Sequence, residues 1–145
     1  FIRMKTILPI TIFPIENDGY HLKVNISINE LDANVIIDTG ASRSVFDETR
    51  IKKFIDKDTL ETQDRLSSGL GTNTMKSKKV LLKKLDLNNL VINNYDATIL
   101  DLTHVNQSYK KLGLVPIDGI IGGDILTEYN AVIDYKKKEL ILGSS

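Results

Sequence analysis

Apolar and polar residues alternate along much of the chain, and this alternation predicts short β-strands. The clearest stretch is Tyr20–Ile28, in which every second residue from Leu22 onward is apolar. A period of two is typical of a strand with one buried face. Asn29–Asp32 supplies turn residues and Ala33–Asp38 is again rich in apolar residues. We therefore expect a β-hairpin whose second arm ends at Asp38.

Further strands are predicted on both sides of this hairpin. Thr6–Phe13 is rich in β-branched residues, but Pro9 cannot donate a hydrogen bond to a neighbouring strand, so we expect an edge strand here. Apolar runs bounded by turn residues predict the remaining strands. These are Val80–Leu82, Leu85–Leu87, two segments of Leu90–Leu100 around Asn93 and Asn94, Ile117–Ile121, and a closing hairpin of Ala131–Tyr135 and Glu139–Leu142.

Two segments favour short helices instead. Asp47–Ile55 places its apolar residues on one face and offers Asp47 as an N-cap, and Gly123–Tyr129 is the second segment. Thr103–Leu112 is ambiguous between irregular structure and one helical turn. Seven or so short strands with two short helices predict a mostly-β, barrel-like domain.

Length and composition indicate one ordinary globular domain that spans residues 1–145. Apolar residues make up 41% of the chain and charged residues 26%, which is typical of a folded soluble protein. The chain has 19 basic and 19 acidic residues, so we expect neither nucleic acid nor an acidic membrane as a partner. It has no Cys and only two His, which argues against disulfides, a Cys nucleophile and a zinc site.

The cellular location is not fixed by the sequence. No apolar stretch approaches the roughly 20 residues that span a bilayer, and no signal peptide is recognisable. The absence of Cys favours a reducing compartment such as the cytoplasm. Because the chain starts at Phe1, an exported form with a trimmed N-terminus stays open.

The stretch Val35–Ser42 carries the most specific chemical signal. Its β-branched apolar residues lead directly into Asp38, Thr39 and Gly40. Asp-Thr-Gly alone is a common turn sequence. At the end of a buried strand, however, desolvation disfavours a charged carboxylate. Such groups are retained where they are paired or where they do chemistry, so Asp38 is the candidate catalytic residue.

A second signal follows about eighty residues later, where Ile120, Ile121 and Gly122 precede the predicted helix. The two motifs in this order resemble the retropepsin-like aspartic proteases. Ile36–Ser42 matches the first motif of that family and Ile120–Leu126 matches the second. The resemblance covers nearly the whole chain, and it implies a mostly-β, closed barrel with one or two short helices.

The resemblance also implies a mechanism. Aspartic proteases use two carboxylates that share a proton, because like charges about 3 Å apart cannot both ionise. This chain contains one Asp-Thr-Gly, so the resemblance implies a homodimer in which Asp38 of each subunit meets its mate on the two-fold axis. Water activated between these carboxylates would hydrolyse peptide or protein substrates without a metal, cofactor or covalent intermediate.

The family pattern gives supporting roles to the neighbours of Asp38. Thr39 would form a hydrogen bond across the dimer axis, and Gly40 with Ala41 would complete the tight loop. In the second motif, Ile120 and Ile121 would exclude water. Gly122 would let its strand pass closely behind the loop. A glycine-rich loop between the motifs is the candidate for the flap that closes over the peptide, and an ordinary surface loop is the alternative. It consists of Gly69, Leu70, Gly71 and Thr72.

The chain departs from many viral members of the family. Those members carry an acidic residue after the motif alanine and pair it with an arginine after the second-motif glycine. Ser42 and Gly123 occupy these positions here. Both partners of the ion pair are replaced together, so no charge is left unpaired. The resemblance is therefore to bacterial or cellular members rather than to viral ones.

Two other interpretations stay open. A peptide-binding or dimerisation module could keep the fold without turnover, although the intact Asp-Thr-Gly favours an enzyme. An unrelated β-barrel with a chance turn is the other alternative. The remaining candidate side chains have structural interpretations: Asp118 as a turn former, Asp124 at a helix start and His104 on the surface.

Overall fold

The chain forms two β-sheets, two α-helices and one 3₁₀-helix within residues 5–17, 19–56 and 78–143, which this computed structural model describes. The elements in chain order are β1 (Lys5–Pro9), β2 (Thr11–Pro14), β3 (Tyr20–Ile28), β4 (Leu31–Ile37), β5 (Val45–Asp47), the 3₁₀-helix (Arg50–Lys53), β6 (Lys78–Leu87), β7 (Leu90–Leu100), α1 (Thr103–Lys111), β8 (Gly119–Ile121), α2 (Gly123–Glu128), β9 (Val132–Asp134) and β10 (Glu139–Gly143).

The larger sheet closes on itself and forms a six-stranded barrel. Its strands follow the order β2-β3-β4-β8-β5-β7-β6, and β6 pairs back onto β3 through Ser27 with Asp86 and Ile28 with Leu85. Strand β2 adds to β3 outside this closed ring. Branched aliphatic side chains and Phe46 fill the core. The predicted mostly-β barrel with short helices is confirmed.

The hairpin that leads to Asp38 lies where the alternation predicts it. Strand β3 spans Tyr20–Ile28, and its alternate residues from Leu22 to Ile28 are buried. The chain turns at Asn29 and Glu30, whose φ angles are 49° and 71°. Strand β4 then runs antiparallel to β3 and ends one residue before Asp38.

Two strands are continuous where the sequence suggested breaks. Strand β6 passes through Lys83 and Lys84. It can do so because neither charge is buried: Lys83 is exposed, and Lys84 pairs with Glu30 at the surface. Strand β7 passes through Asn94, which takes a positive φ of 55° without ending the strand. Polar residues therefore interrupt the apolar pattern here without ending either strand, and pairing resumes with Lys84 opposite Asn93.

The predicted edge strand Thr6–Phe13 is divided at Ile10 into two edge strands. Strand β1 pairs with β10 in a three-stranded sheet of order β1-β10-β9, whereas β2 pairs with β3. The backbone N–H of Ile10 donates to the carbonyl of Lys138 at 2.9 Å, which fixes the division. Strands β9 and β10 form the predicted closing hairpin.

The expected N-cap Asp47 is instead the last residue of β5. Its buried carboxylate accepts hydrogen bonds from the backbone N–H of Arg50 at 2.9 Å and of Leu102 at 2.8 Å. It therefore connects β5 to the chain after β7. The helix predicted over Asp47–Ile55 is reduced to the 3₁₀-helix.

Helix α1 is longer than the single turn suggested by its sequence. It spans nine residues, and Asp101 accepts a hydrogen bond from the backbone N–H of Thr103 at 2.9 Å at its start. Only Tyr109 is buried within the helix, with Val105 packed beside it, so the periodic apolar signal is weak. No helix in the described ranges has both the length and the apolar character needed to cross a bilayer.

Asp118 is a buried carboxylate rather than an exposed turn former. Only 1% of its side chain is exposed, and it receives Arg50 Nε at 2.7 Å, Lys53 Nζ at 3.2 Å and the backbone N–H of Asn34 at 2.9 Å. Charge pairing and hydrogen bonding together offset its desolvation. The carboxylate links the 3₁₀-helix to β4 and to the segment before β8.

We expect Asp118→Asn to lower the free energy of unfolding by about 2 kcal/mol, because one buried charge of a paired set is removed while Arg50 keeps access to water. Urea denaturation measures this loss. Glu30→Gln is the matched control, because Glu30 pairs with Lys84 at 3.2 Å with its own side chain 77% exposed. It should change stability by less than about 0.5 kcal/mol. Equal losses in both variants would contradict a structural role for Asp118.

Candidate active site

Strands β4 and β8 lie parallel and bring the two sequence motifs side by side. Ile36 is paired with Ile120, and Ile37 with Ile121. Beyond the last pair, the backbone N–H of Asp38 donates to the carbonyl of Ile121 at 2.9 Å. The residues predicted to form one site are therefore together, although they are far apart in sequence.

The Asp38 loop is held by hydrogen bonds within the motif. The backbone N–H of Gly40 donates to Oδ1 of Asp38 at 2.9 Å, and that of Ala41 donates to the Asp38 carbonyl at 3.1 Å. Asp38, Thr39 and Gly40 are exposed in this single chain. The expected burial of Asp38 is therefore wrong for one chain alone, because the carboxylate emerges just beyond the buried end of β4.

Gly122 passes so close to the Asp38 loop that no other residue fits without movement. A Cβ atom placed there would lie 2.6 Å from the Ala41 carbonyl oxygen and 2.8 Å from that of Arg43. Both obstructing atoms belong to the backbone, so a rotamer change cannot relieve the overlap. The predicted role of Gly122, close passage behind the loop, agrees with this geometry.

A polar network that the sequence did not reveal holds the end of the Asp38 loop. Oδ1 of Asp124 accepts the backbone N–H and the hydroxyl of Ser44, each at 2.8 Å. The Ser44 hydroxyl oxygen in turn accepts the backbone N–H of Gly122 at 2.9 Å. Tyr95 on β7 donates its phenol to the other Asp124 oxygen. Asp124 therefore joins β7, α2 and the loop, in addition to its expected place at a helix start.

Protonation states in this network favour a charged acceptor and a neutral donor. Burial tends to raise the pKa of Asp124, but hydrogen bonds from Tyr95, Ser44 and the Ile125 backbone outweigh it and lower the pKa. Burial, and then the adjacent Asp124, raise the pKa of Tyr95. The network is therefore a carboxylate that accepts hydrogen bonds from neutral groups.

A cavity of about 330 Å³ opens beside the Asp38 loop. Asp38 and Thr39 line one side, and Ile36, Ile120 and Ile117 contribute apolar walls. Ile121, the neighbour of Ile120, is fully buried in the barrel core. Ile120 and Ile121 thus act on opposite faces of β8, one toward the cavity and one toward the core.

Two remaining expectations concern the flap and bound metal. The candidate flap of Gly69, Leu70, Gly71 and Thr72 lies outside the described residues. Among the residues that are described, no group of three or more acidic or histidine side chains is arranged to hold a metal ion.

We expect Asp124→Asn to lower the free energy of unfolding near neutral pH, because a charged acceptor of several hydrogen bonds is lost. Since folding lowers the pKa of Asp124, its stabilisation is present above the unfolded value of 3.8 and is lost as pH falls through the folded value. The difference between wild type and variant should therefore shrink in acid. Urea titrations at several pH values measure it, with the exposed Asp32→Asn as control. A difference that does not depend on pH would contradict the assignment.

The sequence and the fold both match known proteins. Residues 24–125 match the family model described as aspartyl protease. No curated protein sequence matches the chain. A retropepsin-like aspartic protease from Rickettsia conorii superposes with a TM-score of 0.57 at 18% identity, over 99% of this chain and 93% of that one. The retroviral protease-like domain of Ddi1 from Leishmania major superposes with a TM-score of 0.53 at 18% identity, over 80% of this chain and 82% of that one. The fold is therefore retropepsin-like, and the chain belongs to the aspartyl protease family.

Proposed function

We propose that this chain is an aspartic endopeptidase whose active site combines Asp38 from the two subunits of a homodimer. The observation that carries the proposal is the Asp38 loop, which β8 and Gly122 hold from behind while Asp38 and Thr39 stay exposed beside a cavity. A carboxylate that is fixed but accessible can act on a substrate. The proposed enzyme is the single domain 1–145.

The proposed reaction uses one ionised and one protonated Asp38. The ionised carboxylate takes a proton from water, whose oxygen attacks the peptide carbonyl, while the protonated carboxyl donates its proton to the carbonyl oxygen. The carboxyl that took the proton from water then gives it to the departing nitrogen as the C–N bond of the tetrahedral gem-diol breaks, and the other carboxylate takes a proton from a gem-diol hydroxyl as the new carboxylic acid forms. One water is consumed, and the two carboxyl groups end with the one proton that they shared at the start.

A second copy is needed because one chain supplies one such carboxylate. The exposure of Asp38 and Thr39 leaves both available at a subunit contact. In the proposed dimer, the two Asp38 carboxyls would lie too close for both to be charged, so the pair would share one proton. Thr39 would donate across the two-fold axis, and Gly40 with Ala41 would keep the loop compact.

The substrate in this proposal is an extended peptide. Its backbone would pair with exposed strand edges, and its alternate side chains would enter cavities such as the one beside Asp38. Ile120 lines that cavity and would exclude bulk water from the space next to the scissile peptide bond. Residues 69–72 remain the proposed flap.

We expect Asp38→Asn to abolish peptide cleavage, because an amide can neither accept the proton of water nor share a proton with its mate. Peptide-library digestion followed by mass spectrometry measures cleavage. Asp32→Asn, an exposed position on the same strand, is the matched control and should keep wild-type activity. Wild-type turnover in Asp38→Asn would refute the proposal. If wild type and Asp38→Asn bind peptides equally and neither cleaves them, a silent binding module is the better description.

We also expect mixed dimers of one wild-type and one Asp38→Asn subunit to be inactive, because the two carboxyls act as one unit. Mixing wild-type and inactive subunits at a constant total concentration should lower activity toward the square of the wild-type fraction. Sedimentation measures dimer content in the same samples. A linear loss of activity, or full activity in a strict monomer, would contradict the shared site.

A further inference from the structure

The cavity beside Asp38 contains a hydrogen-bonded polar pair in addition to its aliphatic walls and the side chains of Tyr20 and Tyr135. Its volume of about 330 Å³ lies at the small end of the range of about 300–1,000 Å³ for ligand sites. This space suits one large side chain rather than several residues. Because Asp38 and Thr39 line the same cavity, a substrate side chain that fills it lies next to the proposed reaction centre.

The polar pair consists of His21 on β3 and Tyr109 on α1, both of which line the cavity. Nδ1 of His21 lies 2.7 Å from the phenolic oxygen of Tyr109. Only 1% of the surface of Tyr109 is exposed. Phe13 packs edge-on against both rings, with centroids 5.7 Å from Tyr109 and 6.1 Å from His21. These contacts hold the imidazole in one orientation.

The buried phenol determines which imidazole nitrogen carries the proton. Burial raises the pKa of Tyr109 to about 12, so the phenol keeps its proton at neutral pH. Within the described part of the chain, the phenol has no hydrogen-bond partner besides His21. If Nδ1 were the donor, the buried O–H would lack an acceptor, which is costly. The phenol therefore donates to Nδ1, and neutral His21 carries its proton on Nε2.

We infer that the Nε2–H group of His21 selects the substrate side chain that sits beside Asp38, an inference that rests on the proposed function. His21 is half-buried, and among the described residues its Nε2–H has no acceptor. A side chain with an apolar body and a terminal hydrogen-bond acceptor satisfies both the aliphatic walls and this donor. A cavity with such a donor discriminates against a ligand that lacks the acceptor.

The charge of Asp38 narrows the choice of side chain further. Asp38 lines the same cavity, so a carboxylate on the substrate would face a like charge. The acceptor is therefore uncharged. The inference predicts that tyrosine is preferred over phenylalanine and glutamine over methionine, since each pair is similar in size and differs in the acceptor.

The test uses peptides that differ only at one position next to the cleaved bond. We expect wild type to cleave the tyrosine peptide with a kcat/KM roughly tenfold above that of the phenylalanine peptide, a modest ratio because His21 is only half-buried. His21→Phe should bring this ratio close to one. His21→Gln keeps an N–H donor and should retain part of the preference. His104→Phe, at the exposed second histidine of the chain, should leave the ratio unchanged.

A wild-type ratio near one, or an unchanged ratio in His21→Phe, would overturn the inference while leaving cleavage by Asp38 intact. Thermal melting checks that each variant is folded. If His21→Phe does not fold, Tyr109→Phe replaces it, because loss of the phenol frees the imidazole proton to occupy either nitrogen and should lower the ratio.

Calorimetric binding of the same peptides to Asp38→Asn gives a readout without turnover. Equal or absent binding of the tyrosine and phenylalanine peptides would also overturn the inference, whereas full turnover in Asp38→Asn would refute only the proposed function.

Discussion

The whole candidate site depends on a direct backbone contact between the Asp38 loop and the junction of β8 with α2. The contact is possible because Gly122 has no side chain: an added Cβ would lie 2.6 Å from the Ala41 carbonyl oxygen. Hydrogen bonds on either side reinforce it, from Asp38 to the Ile121 carbonyl at 2.9 Å and from Gly123 to the Ala41 carbonyl at 2.7 Å. Backbone atoms held on both sides cannot drift, so the loop keeps its shape without burying the Asp38 carboxylate.

The contacts that position the Asp38 loop are therefore separate from the groups that would make the Asp38 carboxylate reactive. The fold fixes where Asp38 lies and leaves its carboxylate exposed in one chain. In the proposed enzyme, the proton-sharing chemistry arises when a second carboxylate and a covering peptide exclude water. Such an arrangement keeps the isolated chain stable, because it never buries an unpaired charge. In the proposed enzyme, it would also make activity depend on dimer assembly.

Local sequence patterns predicted the parts of the fold that local forces determine. The apolar run before Asp38 and the apolar-apolar-glycine segment before Gly123 predicted β4 and β8, the strands that meet at Asp38. Partners distant in sequence were not predictable, because no local signal marks them. Asp47 bonds to Leu102, Ser44 to Asp124, and His21 to Tyr109 across separations of 55, 80 and 88 residues. Asp118 was misjudged for the same reason, since Arg50 lies 68 residues away.

The Asp124 network explains how the loop can be supported without the ion pair of many viral relatives. Gly123 stands where those relatives have arginine, and its backbone N–H donates to the Ala41 carbonyl at 2.7 Å. Asp124 then accepts two hydrogen bonds from Ser44, two residues beyond the position of the viral acidic residue. A carboxylate bonded to neutral donors needs no opposite charge across a subunit boundary. Support for the loop is therefore internal to the chain, so the subunit contact of the proposed homodimer would not have to supply it.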